Sequence, residues 1–318
     1  MSRRGENQTL ALPGFIILGF SDSPRLLRLF FFAFFSAMYA ATLAGNLLIV
    51  ALAALDPALR TPMYFFLGSL SSVELAYTLV IVPKMLVGFL ALTLDGGAIS
   101  FVGCAAQMYF FIALGASECF LLAAMAYDRY IAICHPLHYP VIMSRQACVR
   151  LLVGSCAGGF LLSLGLTGLV FQLPFCHSRL VNHVFCDIPA VLKLACTDTY
   201  INELVIFAVA VMVLIVPLSL VFVSYSHIVA TILRMNTAAG RRKTFSTCAS
   251  HLIVVSLFYG AAIFMYMRPR STHSPQQDKM ISLFYAVITP MVNPMIYSLR
   301  NKEVKSAVMR ALGKKTDS

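Results

Sequence analysis

Seven long stretches of this chain carry almost no charge, and that pattern limits what it can fold into. Leu29–Leu55, Gly96–Ser117, Leu151–Ser178, Leu204–Leu233, Thr244–Met267 and Met280–Leu299 contain no Asp, Glu, Lys or Arg; a seventh, Thr61–Pro83, contains only Glu74. Crossing about 30 Å of hydrocarbon takes about 20 helical residues. Lipid offers no partner to backbone amides, so runs of this length must satisfy their own hydrogen bonds as helices. A β-barrel would alternate apolar and polar residues, whereas these runs are continuously apolar. The sequence therefore predicts an all-α membrane protein, a seven-transmembrane-helix bundle with a short amphipathic C-terminal helix. It divides into an extracellular N-terminal segment (1–28), the seven-helix domain (29–300) and a cytoplasmic amphipathic helix and tail (301–318).

Seven crossings place the two ends on opposite sides. More than half of the 24 Lys and Arg fall in the segments assigned to the cytoplasm, including Arg241, Arg242, Lys243 and Arg300 to Lys315. That bias predicts an extracellular N-terminus and a cytoplasmic C-terminus. Asn7-Gln8-Thr9 is a glycosylation acceptor on the same outer side. Residues 1–28 are polar and mixed, so the first helix is expected to act as the targeting segment. The basic charge is split among short loops, which reads as membrane topology and excludes a nucleic-acid surface. In 302–315, Val304, Val308 and Leu312 recur every four residues among basic ones, a helix suited to anionic lipid.

Polar residues inside the apolar runs are costly there and are candidates for function. Asn46, Glu74, Glu118 and Asn293 are such residues, and two facing acids would share a proton or a sodium ion. Pro294 frees a backbone carbonyl, which Asn293 is expected to satisfy, and the break makes a hinge. Pro83 is expected to end or kink the second helix. Asp128-Arg129-Tyr130 closes the third run at the cytoplasmic side, and Asp128 is expected to hold Arg129 there as a latch. Met108, Ile112, Gly115, Cys119 and Leu122 share one helical face.

Four cysteines, Cys104, Cys176, Cys186 and Cys196, fall outside in an oxidising compartment and allow three pairings. His183 and Asp187 flank Cys186 in a metal-like pattern, although Cys186 serves better in a disulfide. No resident cofactor beyond the sodium ion is expected. An enzyme is disfavoured because no paired nucleophile and base, and no HExxH helix, occurs. A transporter would need polar residues along a path and repeated halves.

Several strings in register carry a narrower identification. They are Pro62-Met63-Tyr64-Phe65-Phe66-Leu67, Pro83-Lys84-Met85, Met125 to Tyr139, Ser224-Tyr225, Lys243 to Leu252, Phe258-Tyr259-Gly260 and Pro290 to Lys305. Across Leu18 to Lys305 the chain resembles the rhodopsin-like G-protein-coupled receptors, and within them the tetrapod-type odorant receptors. Departures are small: Glu74 where many members carry Asp, Thr244 for Ala, and His138 for Arg.

The resemblance implies disulfides Cys104–Cys186 and Cys176–Cys196. It implies a volatile ligand held among helices three, five, six and seven by Met108, Phe111, Ile112, Gly115, Ala116, Ile206, Val209, Ala210, Tyr259, Ala262, Ile263 and Tyr266. Phe111 stands where amine receptors place an Asp, and no charge is expected in that set. The ligand expected is therefore neutral and largely apolar, oriented by one hydrogen bond from Tyr259 or Tyr266. The resemblance also implies a heterotrimeric G protein of the stimulatory, olfactory type, a cAMP response, and the plasma membrane of olfactory cilia. On activation Arg129 would leave Asp128 to meet Tyr225 and the G-protein tail, with His251, Asn293, Pro294 and Tyr297 in the same machinery.

Overall fold

A computed structural model describes residues 14–91, 97–176, 178–234, 237–267, 274–300 and 302–311. Asn7 lies outside the described residues. Seven helices are long and apolar enough to cross a membrane. They are α1 (Arg25–Leu55), α2 (Pro62–Leu90), α3 (Phe101–Cys134), α4 (Arg145–Phe171), α5 (Tyr200–Leu233), α6 (Ala238–Tyr266) and α7. The last runs through Pro275–Leu283, a π-helical turn at Phe284–Ile288, and Thr289–Arg300. A short helix, α8 (Lys302–Ala311), follows.

Helix starts obey local chemistry. Pro62 occupies the first turn of α2, where its missing N–H costs nothing. Ser100 caps α3 by accepting the Gly103 N–H at 3.0 Å, and Ser144 caps α4 by accepting from Ala147 at 3.4 Å. Pro83 does not end α2, which continues to Leu90. A proline removes one ladder bond, which a helix packed against its neighbours tolerates.

Helix α3 is the central post, with Leu121, Leu122 and Ala126 wholly enclosed. It meets α4 so closely that Gly159 leaves room only for hydrogen; a Cβ there would sit 2.9 Å from Ser117 N. Three very short strands cover the outer end: β1 (Phe15–Ile17), β2 (Ala98–Ile99) and β3 (Leu180–Val181). β1 lies between the others, antiparallel to β2 and parallel to β3. Phe15 packs against Phe101, Phe171 and Phe175. Residues Phe15–Ile17 are thus part of the roof.

Helix α8 docks on the rest of the protein. Val304 and Ala307 are buried against Leu59 and Tyr64. The Tyr64 hydroxyl donates to Glu303 at 2.6 Å, and Arg310 pairs with Asp56 at 2.6 Å. The Arg310 hydrogen bond holds the Asp56 carboxyl below its ordinary range.

The α3–α4 contact can be tested. Gly159→Ala should lower the thermal midpoint of the purified chain, because overpacking costs about 1–3 kcal/mol. Gly154→Ala, where nothing lies within 4 Å of the added methyl, should be neutral or gain up to about 1 kcal/mol of helix propensity.

Candidate functional site

Polar groups in the bundle centre find one another. Pro294 frees the Pro290 carbonyl, and Asn46 of α1 donates to it at 3.0 Å. Asn293 does not close that gap, because its amide turns across the bundle and donates to Glu74. Glu118 lies near enough to Glu74 for two carboxylates to repel. Among the buried oxygens without a hydrogen-bond partner in the described residues are Asn46 Oδ1, Glu118 Oε1, Thr289 Oγ1, Asn293 Oδ1 and Tyr297 Oη. Hard cations such as sodium prefer all-oxygen surroundings of this kind. The donor chemistry therefore fits such an ion.

Above Glu118 the bundle opens into a chamber of about 120 Å³. Apolar cavities of about 150 Å³ take up benzene, so this is space for one small molecule. Phe111, Ile112, Gly115 and Ala116 of α3, Ile206, Val209 and Ala210 of α5, and Ala262 and Tyr266 of α6 line it.

Three residues of the anticipated set face elsewhere. Met108 is wholly buried in the outer core beside Cys104 and Cys186. Ile263 packs against the main core and does not border the chamber. The Tyr259 hydroxyl donates to the Cys119 carbonyl at 2.8 Å, so it is spent tying α6 to α3 and does not orient a ligand.

Other lining residues extend the same helical faces. Cys119 continues the α3 stripe, Val213 and Leu214 continue α5, and Phe258 precedes Ala262 by one turn. Their three- and four-residue spacing was the available signal. Tyr77, Leu162, Leu166, Ile188 and Tyr285 had no such signal, because three-dimensional closure brings them in.

Asp187 corrects the expectation of an uncharged wall. It follows Cys186, whose disulfide to Cys104 fastens the long loop over the chamber with Cα atoms 5.5 Å apart. A loop residue has no helical register to announce where it points. Its carboxyl accepts the Ile188 N–H at 2.8 Å and the Tyr266 hydroxyl at 3.3 Å, while Tyr266 and Tyr285 hydroxyls lie 3.0 Å apart. Burial pushes this carboxyl up to about 7, against the lowering effect of those two bonds. Cys176 and Cys196 form the second disulfide. Cys186 is thereby spent, and His183 contacts Phe185 O and Ser282 through its two ring nitrogens. Burial lowers His183 to about 4, which keeps it neutral.

The cytoplasmic end also departs from expectation. Asp128 accepts the Tyr139 hydroxyl at 2.8 Å, and among the described residues no salt bridge joins it to Arg129. Adjacent residues on a helix do not face each other, so the acid turns to a side chain below instead. Tyr225 is bonded to His251 at 2.8 Å, linking α5 to α6. Tyr130 contacts His135 at 3.1 Å, and Tyr297 is half-buried nearby.

A family model described as olfactory receptor matches residues 35–315. Human olfactory receptor 10A7 is 52% identical over 98% of this chain and 96% of its own length. Human olfactory receptor 10R2 is 50% identical over 98% of this chain and 91% of its own length. Human olfactory receptor 2A1/2A42 is 51% identical over 99% of this chain and all of its own length, 100%. The chain belongs to the olfactory receptor family, whose members are multi-pass membrane receptors and not enzymes.

Proposed function

We propose that this receptor takes a small, neutral, largely apolar volatile into the chamber among α3, α5, α6 and α7. It answers by activating a stimulatory, olfactory-type G protein and raising cAMP. The observation that carries this reading is the small apolar chamber beneath a disulfide-fastened roof. Its wall is aliphatic and aromatic, with Tyr266 as the anticipated polar contact that faces it. Asp187, raised to about 7 by burial and already bonded to Ile188 and Tyr266, adds a polar contact whose charge those two bonds partly offset.

Activation on this reading is a shift between two helix arrangements. Ligand against Phe258, Ala262 and Tyr266 biases α6, which is bonded to α3 through Tyr259 and to α5 through His251. Outward movement of the inner end of α6 breaks the Tyr225–His251 bond. Tyr225 then turns to Arg129, and both meet the G-protein tail beside Tyr130 and Tyr297. Asp128 stays with Tyr139, so the bond that switches is the one between α5 and α6. A volatile ligand supplies only a few kcal/mol of differential binding, so the resting equilibrium lies near balance.

A sodium ion held by Glu74 and Glu118, with Asn46 and Asn293 beside them, would stabilise the resting arrangement by joining α1, α2, α3 and α7. The receptor would sit in the plasma membrane of olfactory cilia, N-terminus outside with Asn7 glycosylated, and C-terminus inside with α8 against lipid.

Two outcomes test these statements. Arg129→Ala should abolish odorant-evoked cAMP in a reporter assay while radiolabelled odorant still binds; surviving cAMP would remove Arg129 from the coupling step. Sodium at about ten times its Kd should raise the melting temperature of the purified chain by about 2–5 °C over choline. Glu118→Gln should erase that difference, and a shift that persists would place the ion elsewhere.

A further inference from the structure

Beside the chamber lies a second cavity of about 290 Å³. Ile188, Ile206, Ala210 and Tyr266 border both spaces, so a single layer of side chains divides them. At Ala210 that layer is only a methyl group thick. The outer rim carries the exposed Lys193 and the half-buried Glu203, the latter in the first turn of α5. Its deeper wall is Phe207 and Met265, with Phe207 46% exposed on the membrane-facing side of α5. The cavity thus grades from a charged lip to an apolar floor at the outer ends of α5 and α6. Directly above the chamber the way is shut. Asp187 and Ile188 are buried there, and disulfides at Cys186 and Cys196 fasten the short helix Ile188–Leu192 on both sides.

We infer that this second cavity is a vestibule, a weaker site where small uncharged lipophilic molecules lodge before passing Ala210 into the chamber. Such molecules concentrate in the apolar part of a bilayer, and the exposed Phe207 brings an apolar wall of this cavity to the outside of α5. An ion would have to shed its hydration to pass the apolar wall, so the passage also discriminates against charge. The inference starts from the chamber reading, but its test needs no knowledge of the odorant.

Cys119 is a free thiol that borders the chamber and so serves as a native reporter. Methyl methanethiosulfonate is small and uncharged. The Cys119 sulfur attacks its divalent sulfur, a methyl disulfide forms, methanesulfinate leaves, and the thiol proton passes to buffer. The full chain in lipid nanodiscs would be exposed to the reagent and Cys119 followed by peptide mass spectrometry, separately from Cys134, Cys148, Cys156 and Cys248. Ala210→Phe should slow Cys119 modification at least about tenfold, as a raised passage barrier does. Phe207→Ala, at a half-exposed position that tolerates truncation, should speed it. Leu161→Phe, which adds bulk on the exposed face of α4 away from both cavities, should leave it within about twofold. The inference is overturned if Cys119 is never modified, if Phe207→Ala leaves the rate unchanged, or if Leu161→Phe slows it as much as Ala210→Phe. Failure of every volatile to evoke cAMP would instead count against the receptor reading, with the access rates unaffected.

Discussion

The hydrogen bond from Asn293 to Glu74 joins α7 to α2 between two fully buried side chains, and much of the arrangement follows from it. A buried carboxyl in hydrocarbon surroundings is costly unless it is paired. Pro294 adds a second demand by opening the Pro290 carbonyl, and Asn46 of α1 meets it. Two amides and an acid thereby fasten three helices. Oxygens on Glu118, Thr289 and Tyr297 and on both amides are left without a partner among the described residues. A cation or proton there would complete the set. The α1–α2–α7 side of the bundle is held together by this polar centre, whereas α5 and α6 are joined at their inner ends by the Tyr225–His251 bond.

That asymmetry links the chamber to the cytoplasm. Cys119 borders the chamber, its carbonyl receives the Tyr259 hydroxyl, and Glu118 of the polar centre is the residue before it. On the proposed reading, a ligand resting on Cys119 and Phe258 would press on the junction between the α1–α2–α7 side of the bundle and the helix proposed to move. The roof gives it something to press against. Two disulfides and a small sheet hold the loop from Leu180 to Cys196 in place, so the chamber is closed from above.

The spans were legible because a lipid-crossing helix needs only a run of apolar residues, a property of sequence alone. The α3, α5 and α6 walls were legible through helical spacing, which is why Ile112, Gly115, Val209 and Ala262 face the chamber. Spacing gives direction but not depth, and Met108 and Ile263 fell on nearby faces that other residues cover. Asp187 was invisible because a covalent cross-link, and not periodicity, sets its position. Asp128 looked like the holder of Arg129 since the two are adjacent in sequence, yet adjacency on a helix turns side chains apart and Tyr139 lies within reach. The docking of α8 on Leu59 and Tyr64 depends on tertiary contact that its amphipathic pattern does not distinguish from contact with lipid.

The most direct test of the polar centre is infrared difference spectroscopy of the carboxyl stretch in the purified chain, as sodium replaces choline. Two buried, facing acids that exchange a proton for sodium predict a protonated-carboxyl band that vanishes as sodium is added and that is absent from both Glu74→Gln and Glu118→Gln. A band that ignores sodium, or one that survives in either variant, would contradict the account.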